Sequence, residues 1–167
     1  MVSHLFTSKG LGLKVMAGDS DKAAQIAFLL KDLNLPDGIN LREWAPADFP
    51  VIQALSSAEG WTTPQSRPVE ALRAWQNSWP VLVLTADEKI IGFLRALSDG
   101  EITTYIAEVL IAPEWRGQGL GTLLLETCHR LVPDTRFDLL SVEKSVSFYM
   151  THGFREFWGF RKSDFTG

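Results

Sequence analysis

The residues best suited to chemistry lie in Ala112-Pro113-Glu114-Trp115-Arg116-Gly117-Gln118-Gly119-Leu120-Gly121. The stretch follows an apolar run and opens a segment of helical spacing. Alternate glycines let the backbone turn tightly and leave room for a ligand to approach the main chain. The first amides of the helix lack partners and sit at the positive end of its dipole. Together these features predict a cradle for a phosphate or pyrophosphate group. It is not a dinucleotide fingerprint, because glycine recurs at 117, 119 and 121 and position 122 is Thr. It is not a Walker A loop, which needs Gly-Lys-Ser/Thr. Arg116 sets a cation just before the glycines. A metal site is not expected: His4, His129 and His152 are scattered, and Cys128 is the single cysteine.

Alternating strand and helix signals surround this turn. Residues 39–43 read as a short strand, and Pro46-Ala47-Asp48 opens a helix to about Ala58. A loop follows at Gly60-Trp61-Thr62-Thr63-Pro64, and Pro68 starts a helix to about Asn77. Residues 81–85, 90–97 and 102–111 are apolar or β-branched runs joined by Asp87-Glu88-Lys89 and Ser98-Asp99-Gly100. They predict an antiparallel meander. Residues 119–131 form an amphipathic helix with Leu120, Leu123, Leu124, Thr127 and Leu131 on one face. Residues 136–140 read as a strand, 145–152 as a short helix ended by Gly153, and 154–161 as a final strand or pair. The fold class is α/β with a mixed sheet.

The first 38 residues read differently. Residues 1–18 are glycine-punctuated, with weak alternation in Leu11, Leu13 and Val15. Asp19 or Ser20 caps a helix to about Asn34, which Leu35-Pro36-Asp37-Gly38 ends. The chain thus divides into an N-terminal extension with one helix (1–38) and a main domain (39–167). The extension reads as an appendage docked on that domain, with a dimer or partner helix, or a poorly ordered extension, as the alternatives.

The 167 residues are 46% hydrophobic and 22% charged, enough for one domain with its own core. A net charge of −4 argues against a nucleic-acid partner, which calls for a basic stripe. No apolar run reaches the ~20 residues that span a bilayer, so no membrane partner is expected. The first ten residues lack the pattern of a secretory signal, and a lone cysteine fits a reducing compartment. A cytoplasmic location is the expectation.

Arg116-Gly117-Gln118-Gly119-Leu120-Gly121 resembles the acyl-CoA signature of the GNAT superfamily of N-acetyltransferases, Gln/Arg-x-x-Gly-x-Gly/Ala. Val109-Leu110-Ile111-Ala112-Pro113 is similar to the splayed strand that precedes it in that family. Ser147-Phe148-Tyr149-Met150-Thr151-His152-Gly153-Phe154 resembles the family's Phe-Tyr-x-x-x-Gly-Phe element. The likeness covers about residues 39–161. It implies a mixed, mainly antiparallel sheet with a splayed strand pair, flanked by helices.

The resemblance also implies an activity: transfer of an acetyl group from acetyl-CoA to a primary amine, by direct attack in a ternary complex. Backbone amides from Arg116 through Gly117, Gln118, Gly119, Leu120, Gly121 and Thr122 would hold the CoA pyrophosphate. A β-carbon at Gly119 or Gly121 would clash with phosphate or forbid the turn. Main-chain groups of Val109, Leu110 and Ile111 would meet the pantetheine arm at a bulge. Lys144 and Ser145 would meet the adenosine end. Tyr149 would serve as general acid toward the thioester sulfur.

A free alkylamine is neutral in only about one molecule in 10³ to 10⁴ at pH 7, so the site must deprotonate it or select the neutral form. Glu108 is the leading base or ammonium contact, with Tyr105, Glu43, Glu101 and a water relay as alternatives. Family members place an acid one position earlier, where this chain has Ala107. Strand alternation points Glu108 away from Ala107 and Val109 unless a bulge intervenes. The loop Glu59-Gly60-Trp61-Thr62 would line the acceptor pocket, with Trp61 and Tyr105 touching substrate. The acceptor is a small amine or a peptide or protein lysine, and a homodimer is compatible. The competing readings are a larger acyl-CoA donor and a CoA-binding module without turnover.

Overall fold

A computed structural model describes residues 19–162. Five strands follow one another across a single sheet in chain order: β1 (Ile39–Glu43), β2 (Val81–Ala86), β3 (Lys89–Ser98), β4 (Thr103–Ile111) and β5 (Arg136–Leu139). The first four are antiparallel, and β5 runs parallel to β4. Local turn chemistry accounts for the meander. Asp87 and Glu88 both take positive φ, 46° and 65°, as a two-residue hairpin turn requires. Asp99 Oδ1 accepts the amides of Glu101, Ile102 and Thr103 at 2.9, 2.8 and 3.0 Å and so organises the next turn.

Alternation along the strands divides the core between two faces. Leu82, Leu84, Leu94 and Ile106 join Ile26 of helix α1 (Asp19–Leu30) and Leu124 and Cys128 of helix α5 (Leu120–Leu131). Val81, Val83, Phe93 and Leu110 join Phe49 and Ile52 of α2 (Phe49–Ala58) and Trp75 of α4 (Pro68–Gln76). Trp75 meets Trp44, Phe49 and Phe93 edge-on, with centroids 5.4, 6.4 and 5.2 Å apart. Arg42 closes the end of β1 by a two-pronged pair to Asp48 at 2.7 and 2.8 Å, and the Ala45 amide adds a third bond to that carboxylate at 2.7 Å.

Several sequence expectations need correction. The first helix stops at Leu30, short of Asn34. Its Ile26 is buried against β1 and α5, so the helix shares the main core. The stretch 1–18 lies outside the described residues. The expected loop at 60–64 contains a helical turn, α3 (Thr63–Ser66), with Pro64 in its first turn. Residues 154–161 form no strand. Phe157, Trp158 and Phe160 there are 79%, 88% and 95% exposed. Aromatic residues favour a strand only where an edge and an apolar face receive them; beyond the short helix α6 (Val146–Thr151), Phe154 packs against the core while Phe157, Trp158 and Phe160 stay exposed. Among the described residues no helix is long and apolar enough to cross a membrane.

Candidate active site

The site begins with a one-residue insertion in β4. Arg95 pairs with Glu108, yet the next residue of β3, Ala96, pairs with Ile106, so Ala107 is the extra residue of a bulge. Its effect appears in the core. Ile106 packs on the face of α1 and α5, whereas Leu110, four positions on, packs on the face of α2 and α4. Glu108 shares Leu110's side. It therefore meets Arg95, whose Nη2 donates to Glu108 Oε1 at 2.8 Å. Arg95 Nη1 donates to Ser78 Oγ at 3.0 Å, and its guanidinium stands 6.0 Å from the Trp75 ring centroid. Glu108 Oε2 is buried without a hydrogen-bond partner among the described residues. Arg95 Nε, in the same ion pair, is likewise buried without a partner among the described residues.

β4 then outruns its neighbour. Its pairing with β5 ends at Ile106 and Leu139, while β4 continues to Ile111. The Ala112 amide still donates to Ile91 of β3 at 2.8 Å. The Ile111 carbonyl faces the other way and accepts Arg116 Nε at 2.8 Å. Alternation gives the Val109 main chain the same open edge. Between that edge and residues Leu139 to Val142 lies a cavity of about 580 Å³, bounded also by Trp61, Glu108, Arg116, Lys144, Ser145 and Tyr149.

Of the glycine turn, Arg116 lines this cavity, whereas Gly117, Gln118, Gly119, Leu120, Gly121 and Thr122 do not. Gly117 and Gly119 lie in the left-handed region at φ 76° and 77°, and Gly119 is the N-cap of α5. The first amides of α5 have no intrahelical partner, and no acidic residue occupies its first turn. Gly121 has a packing constraint beside the expected clash with phosphate. A β-carbon there would approach Phe148 Cζ to 3.2 Å, so Gly121 admits the helix that carries Tyr149. His152 fastens that helix. The Phe148 carbonyl only accepts, so His152 Nδ1 donates to it at 2.6 Å, and Nε2 lies 2.7 Å from Thr122 Oγ1.

Tyr149 stands edge-on to Phe148 and Phe154, with centroids 5.1 and 5.4 Å apart. Burial pushes its phenol up, so the ring keeps its proton over a wide pH range. Arg116 and Lys144 converge on one carboxylate, Glu59, at the C-cap of α2. Arg116 Nη2 donates to Oε1 and Lys144 Nζ to Oε2, the latter at 3.4 Å.

The structure thus gathers Trp61, Glu108, Val109, Leu110, Ile111, Arg116, Lys144, Ser145 and Tyr149 around one cavity. Tyr105 stays outside its lining, paired between Leu97 and Asp138. Sequence reasoning missed Arg95 altogether and saw Glu59 only as part of a lining loop. Glu59's partners are 57 and 85 positions away, so no local pattern announces them. A second hollow of about 1010 Å³ lies against Glu126, Arg130, Phe137 and Arg155. It borders neither the open edge of β4 nor Tyr149, but Thr122, which the sequence reading placed at the pyrophosphate, lines it.

A meander whose last antiparallel strand bulges and parts from a parallel neighbour, with a glycine turn leading into a helix at the opening, is the architecture of the GNAT acetyltransferases. Residues 77–156 match the family model described as acetyltransferase (GNAT) domain. The chain is 28% identical over 163 residues to GCN5-related N-acetyltransferase 2, chloroplastic, of Arabidopsis thaliana, covering 81% of this chain and 62% of the relative. It is 30% identical over 146 residues to histone acetyltransferase TAP1 of Glycine max, covering 76% and 62%. The chain therefore spans about 62% of the length of these curated relatives. A GNAT family acetyltransferase of Streptococcus pneumoniae TIGR4 shares the fold with a TM-score of 0.60 at 20% identity, over 74% of this chain and 98% of that one. An acetyltransferase of Trypanosoma brucei does so at 0.58 and 22%, over 76% and 99%. Residues 77–156 thus match a GNAT acetyltransferase domain, and the fold around them is that of GNAT structures.

Proposed function

We propose that the chain transfers an acetyl group from acetyl-CoA to a primary amine, by direct attack within a ternary complex. The observation that carries this reading is the parting of β4 from β5, which leaves an unpaired strand edge running from the glycine turn to Tyr149. Such an edge accepts an extended amide-bearing chain as an added strand, and the pantetheine arm has that chemistry. The turn at Gly117 and Gly119 with the first amides of α5 suits the pyrophosphate, and Arg116 and Lys144 add positive charge.

Acetyl-CoA supplies an acyl group activated as a thioester. The chain's residues supply alignment and electrostatics. Main-chain groups of Val109 and Ile111 hold the arm along β4. The Glu108 carboxylate, which lines the cavity, accepts a hydrogen bond from the amine and turns the nitrogen lone pair toward the carbonyl carbon. As the nitrogen–carbon bond forms and the carbon–sulfur bond breaks, the Tyr149 hydroxyl donates to the departing sulfur. The proton shed by nitrogen leaves through solvent in the open cavity.

The acceptor is a small amine, and a lysine side chain offers the same nucleophile. The name of the soybean relative, a histone acetyltransferase, favours including lysine peptides in any screen. Calorimetric titration with acetyl-CoA, followed by a CoA-release screen over small amines and lysine peptides, tests the proposal. Micromolar binding with amine-dependent release is expected. Absence of acetyl-CoA binding by folded protein refutes it.

A further inference from the structure

The geometry points to Glu59 as a displaceable internal counter-ion: it occupies the two cations of the phosphate end and yields them only when phosphate arrives. This rests on the acyl-CoA reading above for the identity of the natural ligand. The cluster itself is independent of that reading.

Three parts of the chain meet at this carboxylate. Glu59 caps α2, Arg116 belongs to the turn between β4 and α5, and Lys144 lies between β5 and α6. The Glu59 side chain is only 13% exposed, against 47% for Arg116 and 72% for Lys144. The anion is thus sheltered and its cations reach toward solvent. The bond from Arg116, ahead of burial, holds the Glu59 carboxyl below its usual range. Arg116 is engaged twice, since its Nε also caps the Ile111 carbonyl on the open edge of β4. One carboxylate and one guanidinium therefore satisfy the donors and the acceptor at the mouth of the cavity.

A phosphate group carries the same charge as Glu59 and prefers the same forked donor. The two anions cannot share Arg116 and Lys144 without repulsion, so binding must release Glu59. Release has a second consequence. Gly60 follows Glu59 at φ 80° and Trp61 lines the same cavity, so the freed carboxylate unlocks the loop on the acceptor side. Phosphate binding at one end is thereby coupled to the shape of the other.

Glu59→Gln keeps the shape and removes the charge. Inorganic pyrophosphate is the first probe, because its binding does not depend on any acyl-transfer activity. The counter-ion role predicts pyrophosphate binding about three- to tenfold tighter in Glu59→Gln than in wild type, the scale of exposed charge pairs. Equal or weaker binding overturns it, since a carboxylate that pre-orients Arg116 would give that result. Trp61 emission is the second readout. Pyrophosphate should change it in wild type, with the signal absent in Trp61→Phe and at least halved in Glu59→Gln. A signal of full size in Glu59→Gln also overturns the role.

Should Glu59→Gln fail to fold, Glu59→Asp draws the carboxylate back by one methylene and predicts the same direction with a smaller gain. Acetyl-CoA is the third probe and separates the two hypotheses. If wild type ignores acetyl-CoA while Glu59→Gln gains pyrophosphate, the acyl-CoA reading falls and the counter-ion stands. If both proteins bind acetyl-CoA alike, the counter-ion falls and the acyl-CoA reading stands.

Discussion

Replacing Tyr149 by Phe removes one oxygen and keeps the ring that packs between Phe148 and Phe154. The size of the effect follows from proton energetics. A phenol ordinarily titrates near 10.0 and a thiol near 8.5, a gap of about 1.5 units or roughly 2 kcal/mol against full proton transfer. Burial raises the Tyr149 phenol and widens that gap. Complete transfer in the transition state is therefore unfavourable, and the hydroxyl works as a hydrogen-bond donor to developing thiolate. A bond to a charged acceptor contributes about 1.5–3 kcal/mol, so kcat should fall roughly 10- to 150-fold. The acetyl-CoA dissociation constant should stay within about twofold, because ground-state sulfur makes only a weak bond.

The pH profile adds a sign. The protonated phenol is the active form and its pKa is raised, so this residue imposes no loss of rate until pH exceeds the ordinary phenol value of 10.0. CoA release followed with a thiol reagent, beside calorimetry, reads both quantities. An unchanged kcat in Tyr149→Phe refutes the donor role. A parallel loss of acetyl-CoA affinity shows instead that the hydroxyl serves ground-state binding.

Gly119→Ala should weaken acetyl-CoA at least about tenfold in calorimetry, because φ of 77° strains any β-carbon at the N-cap of α5 and tilts the amides that follow. Asp48→Asn should destabilise the fold by about 1–3 kcal/mol in urea unfolding, since it weakens the pair with Arg42. Burial alone would raise the Asp48 carboxyl, but the bonds from Arg42 and the Ala45 amide outweigh it and the net shift is downward. The stabilisation is thus present above the ordinary value of 3.8 and lost as pH falls below it toward the folded value, a loss that Asp48→Asn should not show. Cys128, fully buried with its thiol pushed up to about 12, should resist iodoacetamide in the native protein and react on unfolding, as mass spectrometry will show.

The sheet was legible because its turns are local. Asp87-Glu88 and Asp99-Gly100 carry their own instructions, and β2, β3 and β4 follow from them within a residue or two. The glycine turn was legible for the same reason, since positive φ at 117 and 119 is a property of residue type. The segment 154–161 was misread because aromatic content measures fitness for a sheet surface and says nothing of whether an edge is at hand. The packing of Gly121 against Phe148 is not legible locally, because its partner lies 27 positions on.

Glu108 shows the limit most clearly. Alternation alone cannot tell which face receives it, because a bulge is one residue of slack that may be inserted at several points of a long strand without changing composition. The insertion at Ala107 keeps Ile106 and Thr104 on one face and moves Glu108 and Leu110 to the other. There the carboxylate meets Arg95, which donates to Ser78 Oγ and stands against the Trp75 ring. The pair takes one oxygen of Glu108 and leaves the second buried and open. Arg95 thus holds one oxygen of a carboxylate whose residue lines the cavity. The same bulge ends the pairing with β5 and uncovers the edge at Val109 and Ile111. One extra residue therefore accompanies both features of the cavity, the carboxylate paired with Arg95 and the open strand edge beside it.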